Sequence, residues 1–101
     1  MIRGKMDTRQ VWVDDVELLP GPSQAVFNHS PDGFCWGYCG SGPSQLALAL
    51  MLHFTEDEEL ARALYIPFKF KIVSCLNADF ELDTDEIRQW IEKEKAEGQR
   101  G

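Results

Sequence analysis

Residues 33–52 have the sequence GFCWGYCGSGPSQLALALML, in which an aromatic, glycine-rich turn runs directly into the most apolar segment of the chain. Residues 46–52 contain no polar and no β-branched side chain, which favours a helix over a strand. A helix that is apolar on every side has to be buried on every side. The sequence therefore predicts a central helix with other elements packed around it. Pro43 marks its first turn, and Ser41 or Gly42 is the predicted N-cap.

The turn before this helix has two interpretations. Residues 37–42 include three glycines, which permit positive φ and a close approach of the backbone to a ligand. Free N–H groups at a helix N-terminus attract anions, so one interpretation is a cradle for a phosphate or carboxylate. The turn lacks the Gly-Lys-Ser/Thr ending of a phosphate-binding loop. The other interpretation is a tight structural turn that lets Trp36 and Tyr38 pack.

The first third of the chain predicts a small antiparallel sheet of about four strands. Apolar residues predict strands at 10–13 and 16–18, joined by a turn at Asp14 and Asp15. Two further strands are predicted at 24–28 and 34–36, on either side of a Pro-Asp-Gly turn. The residues before this sheet, 1–8, are expected to be a flexible lead-in.

A second helix is predicted from residue 56 to residue 76, kinked at Pro67 because proline cannot donate the backbone hydrogen bond. Its apolar residues form two stripes on roughly opposite sides. Either the kink turns both stripes towards the core, or the second stripe is the contact surface of a homodimer. That second stripe consists of Ile66, Phe70 and Val73. A short C-terminal helix is predicted after Asp83, with a buried edge at Ile87, Trp90 and Ile91.

Size and charge limit the classes of protein. The chain has 101 residues, of which 44% are hydrophobic, and a formal net charge of −7. One domain is predicted, placed at residues 9–97 and followed by a frayed tail at 98–101. The negative charge argues against direct nucleic-acid binding, and no apolar run is long enough to span a membrane. The N-terminus is too polar for a signal peptide, and three cysteines suggest free thiols in the cytoplasm.

The candidate site residues lie around the glycine-rich turn. They are His29, Ser30, Asp32, Trp36, Tyr38, Gly40, Ser41, Gly42 and Gln45. Gln45 is a polar side chain on the first turn of an otherwise apolar helix, and it is expected to hydrogen-bond the glycine-rich turn. Cys35 and Cys39, with His29 or His53, have too loose a spacing for a zinc site. No metal and no cofactor are therefore predicted.

Residues 28–50 carry the motif N-H-S-P-x-G-F-x-W-G-Y-x-G-S-G-P-x-Q-L-A-L-A-L. With it the chain resembles a family of small uncharacterised proteins, a domain of unknown function, carried by bacteria, archaea and their mobile elements. Residues further along that also fit the pattern are Tyr65, Phe68, Lys69, Leu82, Ile87 and Trp90. Cys39 stands where the family usually has a small residue, typically glycine, which weakens any cysteine-based chemistry. The resemblance supports the predicted fold and implies no activity.

The predicted fold is α+β: the sheet packed on the central buried helix, then a kinked helix and a short C-terminal helix. The first functional hypothesis is a non-catalytic protein-interaction module, encoded by a mobile element or prophage, with the candidate residues as its surface. In an anti-defence or nucleic-acid-mimicking variant, one acidic face would contain Asp79, Glu81, Asp83, Asp85 and Glu86.

The alternative hypothesis is a small anion- or nucleotide-binding protein or enzyme. In that case the glycine-rich turn holds the anion and His29 serves as acid or base. This alternative predicts a pocket beside Gly40 and Ser41 with His29 inside it.

Overall fold

The computed structural model describes residues 1–98 and confirms an α+β fold. A four-stranded antiparallel sheet shares one hydrophobic core with the helices. The strands are β1 (Ile2–Lys5), β2 (Gln10–Val13), β3 (Val16–Glu17) and β4 (Phe80–Leu82). The helices are α1 (Gly21–Val26), α2 (Ser41–Thr55), α3 (Glu58–Lys71) and α4 (Thr84–Gly98), with a short 3-10 segment at Val73–Cys75.

The strands are ordered β3-β2-β1-β4, so the first strand of the chain lies inside the sheet. Ile2 pairs with Val13 on one side and Leu82 on the other, and its side chain is fully buried. The expectation that residues 1–8 form a flexible lead-in, with the domain beginning at residue 9, is therefore wrong. Buried and exposed residues alternate along β1, which gives the sheet one face towards the core and one towards solvent.

The predicted hairpin between β2 and β3 is confirmed. Asp14 and Asp15 both have positive φ, at 50° and 69°. A two-residue type I′ turn needs positive φ at both of its central positions, and aspartate tolerates this region better than most residues do. Val13 and Val16 pair directly across the turn.

The other two predicted strands, 24–28 and 34–36, are wrong. Most of the first segment belongs to α1, which has a proline in its first turn, where proline presets φ for a helix. Residues 34–36 pair with no strand in the described part of the chain. They lie against the N-terminal turn of α2, where Gly42 leaves room for Cys35. The fourth strand of the sheet is instead β4, between the 3-10 segment and α4.

α2 is the central helix that the sequence predicts, because residues 42–51 are all buried. It packs against α1, α3 and the 3-10 segment. Its N-cap is Gly40 rather than Ser41 or Gly42. Glu56 adopts a left-handed conformation after the last turn and ends the helix.

α3 begins and bends at identifiable residues. The Asp57 carboxylate accepts a hydrogen bond from the Leu60 N–H at 3.1 Å and caps the helix. The helix continues through Pro67 and is bent. Buried Phe68 meets Trp90 of α4 with ring centroids 5.1 Å apart, which joins the two helices.

The C-terminal helix has the predicted buried edge, since Ile87 and Ile91 are buried and Trp90 is half-buried. Residues 99–101, and with them most of the tail predicted at 98–101, lie outside the described residues. Within residues 1–98, no helix is long and apolar enough to cross a membrane.

Candidate functional site

The glycine-rich turn is attached to the body of the protein by Trp36 and Gly37. The Trp36 ring is 1% exposed, and its indole N–H donates to the carbonyl oxygens of Asn77 at 3.0 Å and Ala78 at 2.8 Å. Gly37 has a φ of +84°, and its N–H donates to the Val73 carbonyl at 3.0 Å. Trp36, one of the candidate site residues, is therefore part of the core, which agrees with the interpretation of the turn as a structural one that lets Trp36 pack.

Gln45 is fully buried and uses its whole hydrogen-bonding capacity inside the protein. Its Oε1 accepts from the backbone N–H groups of His29 at 2.7 Å and Ser30 at 3.0 Å. Its Nε2 donates to the Ser23 hydroxyl at 2.9 Å and the Phe27 carbonyl at 3.1 Å. Gln45 thus fastens the loop after α1 to α2. The predicted hydrogen bond to the glycine-rich turn is wrong, and Gln45 has no group left for a ligand.

The N-terminal end of α2 has few free donors. No side chain caps it, and Pro43 has no N–H, so the unbonded donors of the first turn are those of Ser41 and Gly42. The Ser44 N–H and hydroxyl both donate to the Gly40 carbonyl. Gly40 lies so close to the Tyr38 ring that a Cβ there would be 2.6 Å from it.

Beside this helix end is a cavity of about 210 Å³, which we call the turn pocket. It brings together five of the predicted site residues: Ser30, Asp32, Tyr38, Ser41 and Gly42. The sequence analysis missed Arg9, which also lines the pocket and has an unusual positive φ of 59°. Desolvation, followed by the neighbouring Cys35, raises the pKa of Tyr38 above its usual range, while Arg9 acts in the opposite direction. The phenol is therefore neutral near pH 7.

His29 lies elsewhere and does not line the turn pocket. Its ring stacks on Phe27 at 4.2 Å and meets Tyr65 of α3 at 5.4 Å. Burial, and then the charge of Lys69, lower the pKa of His29. Its Nε2 is buried without a hydrogen-bond partner among the described residues. The enzyme hypothesis placed His29 inside the pocket beside Gly40 and Ser41, and this placement is wrong because the cavity at Ser41 is not lined by His29.

His29 instead belongs to a surface that we call the α3 patch, defined by Phe27, His29, Tyr65, Ile66, Lys69 and Phe70. Three of these side chains are large, apolar and exposed: Phe27 by 52%, Ile66 by 40% and Phe70 by 53%. The Lys69 ammonium lies 4.5 Å from the centre of the Phe70 ring. The patch therefore combines aromatic surface with a positive charge.

The predicted homodimer stripe is partly wrong. Val73 is fully buried in the core and cannot contact a second subunit. Ile66 and Phe70, four residues apart on α3, remain exposed and form one side of the α3 patch.

The cysteines and the other side chains that could bind a metal ion form no metal centre in the described part of the chain. Cys35 is half-buried, Cys39 and Cys75 are exposed, and all three are free. Within residues 1–98, no group of three or more His, Cys, Asp or Glu side chains is placed to hold a metal ion.

The sequence analysis did not assign Lys69 to a site, although the distribution of charge along the chain indicates a basic surface there. Residues 60–78 contain no aspartate or glutamate, although the whole chain has 17 acidic residues. This segment includes Arg62, Lys69 and Lys71. A basic segment within an acidic protein marks a surface whose charge differs from the rest.

Comparison with known proteins leaves the activity open. No curated protein and no solved structure matches the chain. One family model matches residues 3–93, more than half of the chain. The chain therefore belongs to that family, which is described as a family of unknown function (DUF6166).

Proposed function

We propose that this protein is a non-catalytic protein-interaction module that binds its partner through the α3 patch. The observation that carries this proposal is a set of three large exposed apolar side chains, Phe27 at the end of α1 and Ile66 and Phe70 on α3, with the His29 ring linking Phe27 to Tyr65 of α3. Single exposed hydrophobic residues are common on protein surfaces, whereas a contiguous group is typical of a docking site. Aromatic side chains are also enriched at the centres of protein interfaces. A cytoplasmic location, with three free thiols, is part of the proposal.

The charges around the patch favour an acidic partner with apolar side chains. Arg62 pairs with Glu58 at 3.2 Å and Lys71 with Glu94 at 3.2 Å. Among the described residues, Lys69 forms no ion pair. A two-fold homodimer through this patch would place two copies of these cations near each other. A different protein that presents carboxylates avoids this repulsion.

The nucleic-acid-mimicking variant is less well supported by the geometry. Asp83 accepts a hydrogen bond from the Asp85 N–H at 2.8 Å and so stabilises the start of α4. The Asp85 carboxylate lies 3.9 Å from the Arg88 guanidinium. An acidic face that mimics nucleic acid would need these carboxylates to be free of neighbouring cations.

The test is capture of partners by purified protein with matched surface variants. Ile66→Ser with Phe70→Ser should abolish capture of specific partners. Val16→Ser with Leu19→Ser should not, although these two residues are equally apolar and are exposed by 71% and 59%. Lys69→Glu should weaken capture more than Lys93→Glu on α4. Equal capture by both double variants would contradict the proposed surface, and a dimeric mass by light scattering would favour a second copy as partner.

A second candidate is anion binding in the turn pocket, favoured by one observation. Arg9 lies in the same cavity as the first-turn backbone of α2 at Ser41 and Gly42. Asp32 also lines the cavity and opposes an anion. An NMR amide titration with phosphate, sulfate and nucleotides tests this candidate. Saturable shifts at Arg9 and residues 37–45 that disappear in Arg9→Asn would support it, because asparagine tolerates the positive φ at this position. Unchanged spectra would mean that the glycine-rich turn has a structural role and binds none of these anions.

A further inference from the structure

The solvent face of the sheet carries a cavity that neither functional hypothesis uses. Its volume is about 500 Å³, within the range of about 300–1,000 Å³ that is typical of small-molecule sites. We call it the sheet groove. The side chains that give it chemical character are Arg3, Lys5, Trp12, Asp79 and Glu81.

The register of the sheet explains how these residues meet. Arg3 of β1 is opposite Trp12 of β2 on one side and Glu81 of β4 on the other. Lys5 lies two residues further along β1, so it points to the same face. Gly4, between them, faces the core, where its missing side chain leaves room for the Phe80 ring. One half-buried aromatic ring is thus flanked by charges of both signs.

Two of these charges have no partner in the described structure. Arg3 forms an ion pair with Asp15, and Asp79 accepts a hydrogen bond from the Met6 N–H at 3.1 Å. Within residues 1–98, the side chains of Lys5 and Glu81 form no ion pair and no hydrogen bond. The groove therefore offers one available cation and one available anion near the Trp12 ring.

We infer that the sheet groove binds a small aromatic zwitterion, of which a free aromatic amino acid is the simplest example. The aromatic ring of the ligand stacks on Trp12, its anionic group contacts Lys5 and its ammonium group contacts Glu81. Charge complementarity selects this class. A polyanion would meet Asp79 and Glu81, while an uncharged ligand would cover Lys5 and Glu81 without compensating their lost hydration. Aromatic stacking supplies the orientation.

A ligand series separates these contributions. We would titrate the protein with L-phenylalanine, phenethylamine and 3-phenylpropanoate, and follow backbone amides and the Trp12 indole N–H by NMR. L-phenylalanine should give saturable shifts at Trp12, Lys5 and Glu81. Each compound that lacks one charge should bind about tenfold more weakly, since a charged contact is typically worth about one decade in affinity. Equal affinities for all three compounds would overturn the assignment.

Variants then locate the site. Lys5→Gln and Glu81→Gln should each weaken L-phenylalanine binding about tenfold, whereas Lys93→Gln on α4 should leave it unchanged. Trp12→Val, which keeps a strand-forming residue, should lose binding, and Trp12→Phe should retain it. Shifts confined to residues 37–45 would overturn the proposal in favour of the turn pocket. Concentration-dependent shifts on the sheet face without ligand, with a doubled mass, would overturn it in favour of a second copy of the chain.

Discussion

At the scale of single residues, Gln45 shows how one polar side chain can decide the course of a loop. One of its four hydrogen bonds connects α2 to Ser23 of α1, and the other three connect it to the segment that follows α1. The sequence suggested that Gln45 holds a neighbouring segment, but its partners follow from the position of α1, which was not predicted. Replacement of a buried side chain that makes four hydrogen bonds is expected to cost much of the stability of the protein.

Gln45→Leu should therefore destabilise the protein strongly while keeping the size of the side chain. Two partly buried N–H groups, on His29 and Ser30, would lose their acceptor, which predicts a loss of about 3 kcal/mol in the free energy of unfolding. Urea denaturation followed by far-UV circular dichroism measures it. Gln89→Leu, at an exposed position on α4, should change stability by less than about 0.5 kcal/mol. Equal losses in the two variants would contradict the role of Gln45.

His29 gives a prediction on pH. Burial and Lys69 lower its pKa in the folded state, so the unfolded chain binds the proton more readily. Stability should then be complete above the unfolded pKa of about 6.5 and fall as the pH drops towards the folded pKa. His29→Phe keeps a ring against Phe27 and removes the titrating group. The decrease in unfolding free energy from about pH 7.5 to about pH 5.5 should be smaller in this variant than in the natural chain.

His53 provides the matched control for this experiment, because its side chain is exposed on α2. His53→Phe should leave the pH dependence as it is in the natural chain. A His29→Phe variant with an unchanged pH profile would mean that protonation of His29 does not oppose folding.

At the scale of elements, the sequence predicted what depends on local pattern. α2 and α4 followed from apolar composition and spacing, and the β2–β3 hairpin followed from two short apolar runs around Asp14 and Asp15. α1 was missed because Pro20 and Pro22 are as typical of a loop as of a helix start, where proline is favoured in the first turn. β1 and β4 were missed because each is short and each depends on pairing with a strand distant in the chain.

The sequence identified several residues of the candidate site but did not predict how they are arranged in space. Ser30, Asp32, Tyr38, Ser41 and Gly42 do line one cavity. His29 faces α3 and Trp36 is buried in the core, because the direction of a side chain in a loop depends on the tertiary packing around it. Arg9 and Trp12 come from strands or turns whose position in the sheet could not be inferred without β1.

The contact between α2 and the segment before it should be sensitive to Gly42. A Cβ on this residue would lie 2.6 Å from the Cys35 Cβ and 3.0 Å from its backbone nitrogen. Gly42→Ala should thus lose about 1–3 kcal/mol by overpacking, although alanine is the better helix former. Gly21→Ala in α1 is the control, since a Cβ there meets nothing within 4 Å. If thermal unfolding shows equal midpoints for the two variants, the close packing at Gly42 does not affect the stability of the protein.

At the scale of the whole molecule, the sheet joins the start of the chain to β4, a strand that lies beyond α3 in the sequence. β1 pairs with both β2 and β4, so strands separated by most of the sequence depend on residues 2–5. The side chains of β1 contribute to both faces of the sheet. Its inner side chain, Ile2, lies in the core with α2, and its outer side chains, Arg3 and Lys5, line the sheet groove. Folding and the inferred ligand site thus rely on a segment that looked like a lead-in.

Ile2→Ala should consequently destabilise the whole domain, by about 2–5 kcal/mol, because it leaves a cavity at a fully buried position between two strands. Val16→Ala, at a position 71% exposed in edge strand β3, should cost far less. Urea denaturation should give one cooperative transition for both variants, shifted strongly only for Ile2→Ala. Removal of residues 1–8 should abolish the cooperative transition, since β4 would lose its only partner strand in the described sheet. A truncated chain that still unfolds cooperatively with natural stability would show that β1 is dispensable, as a lead-in would be.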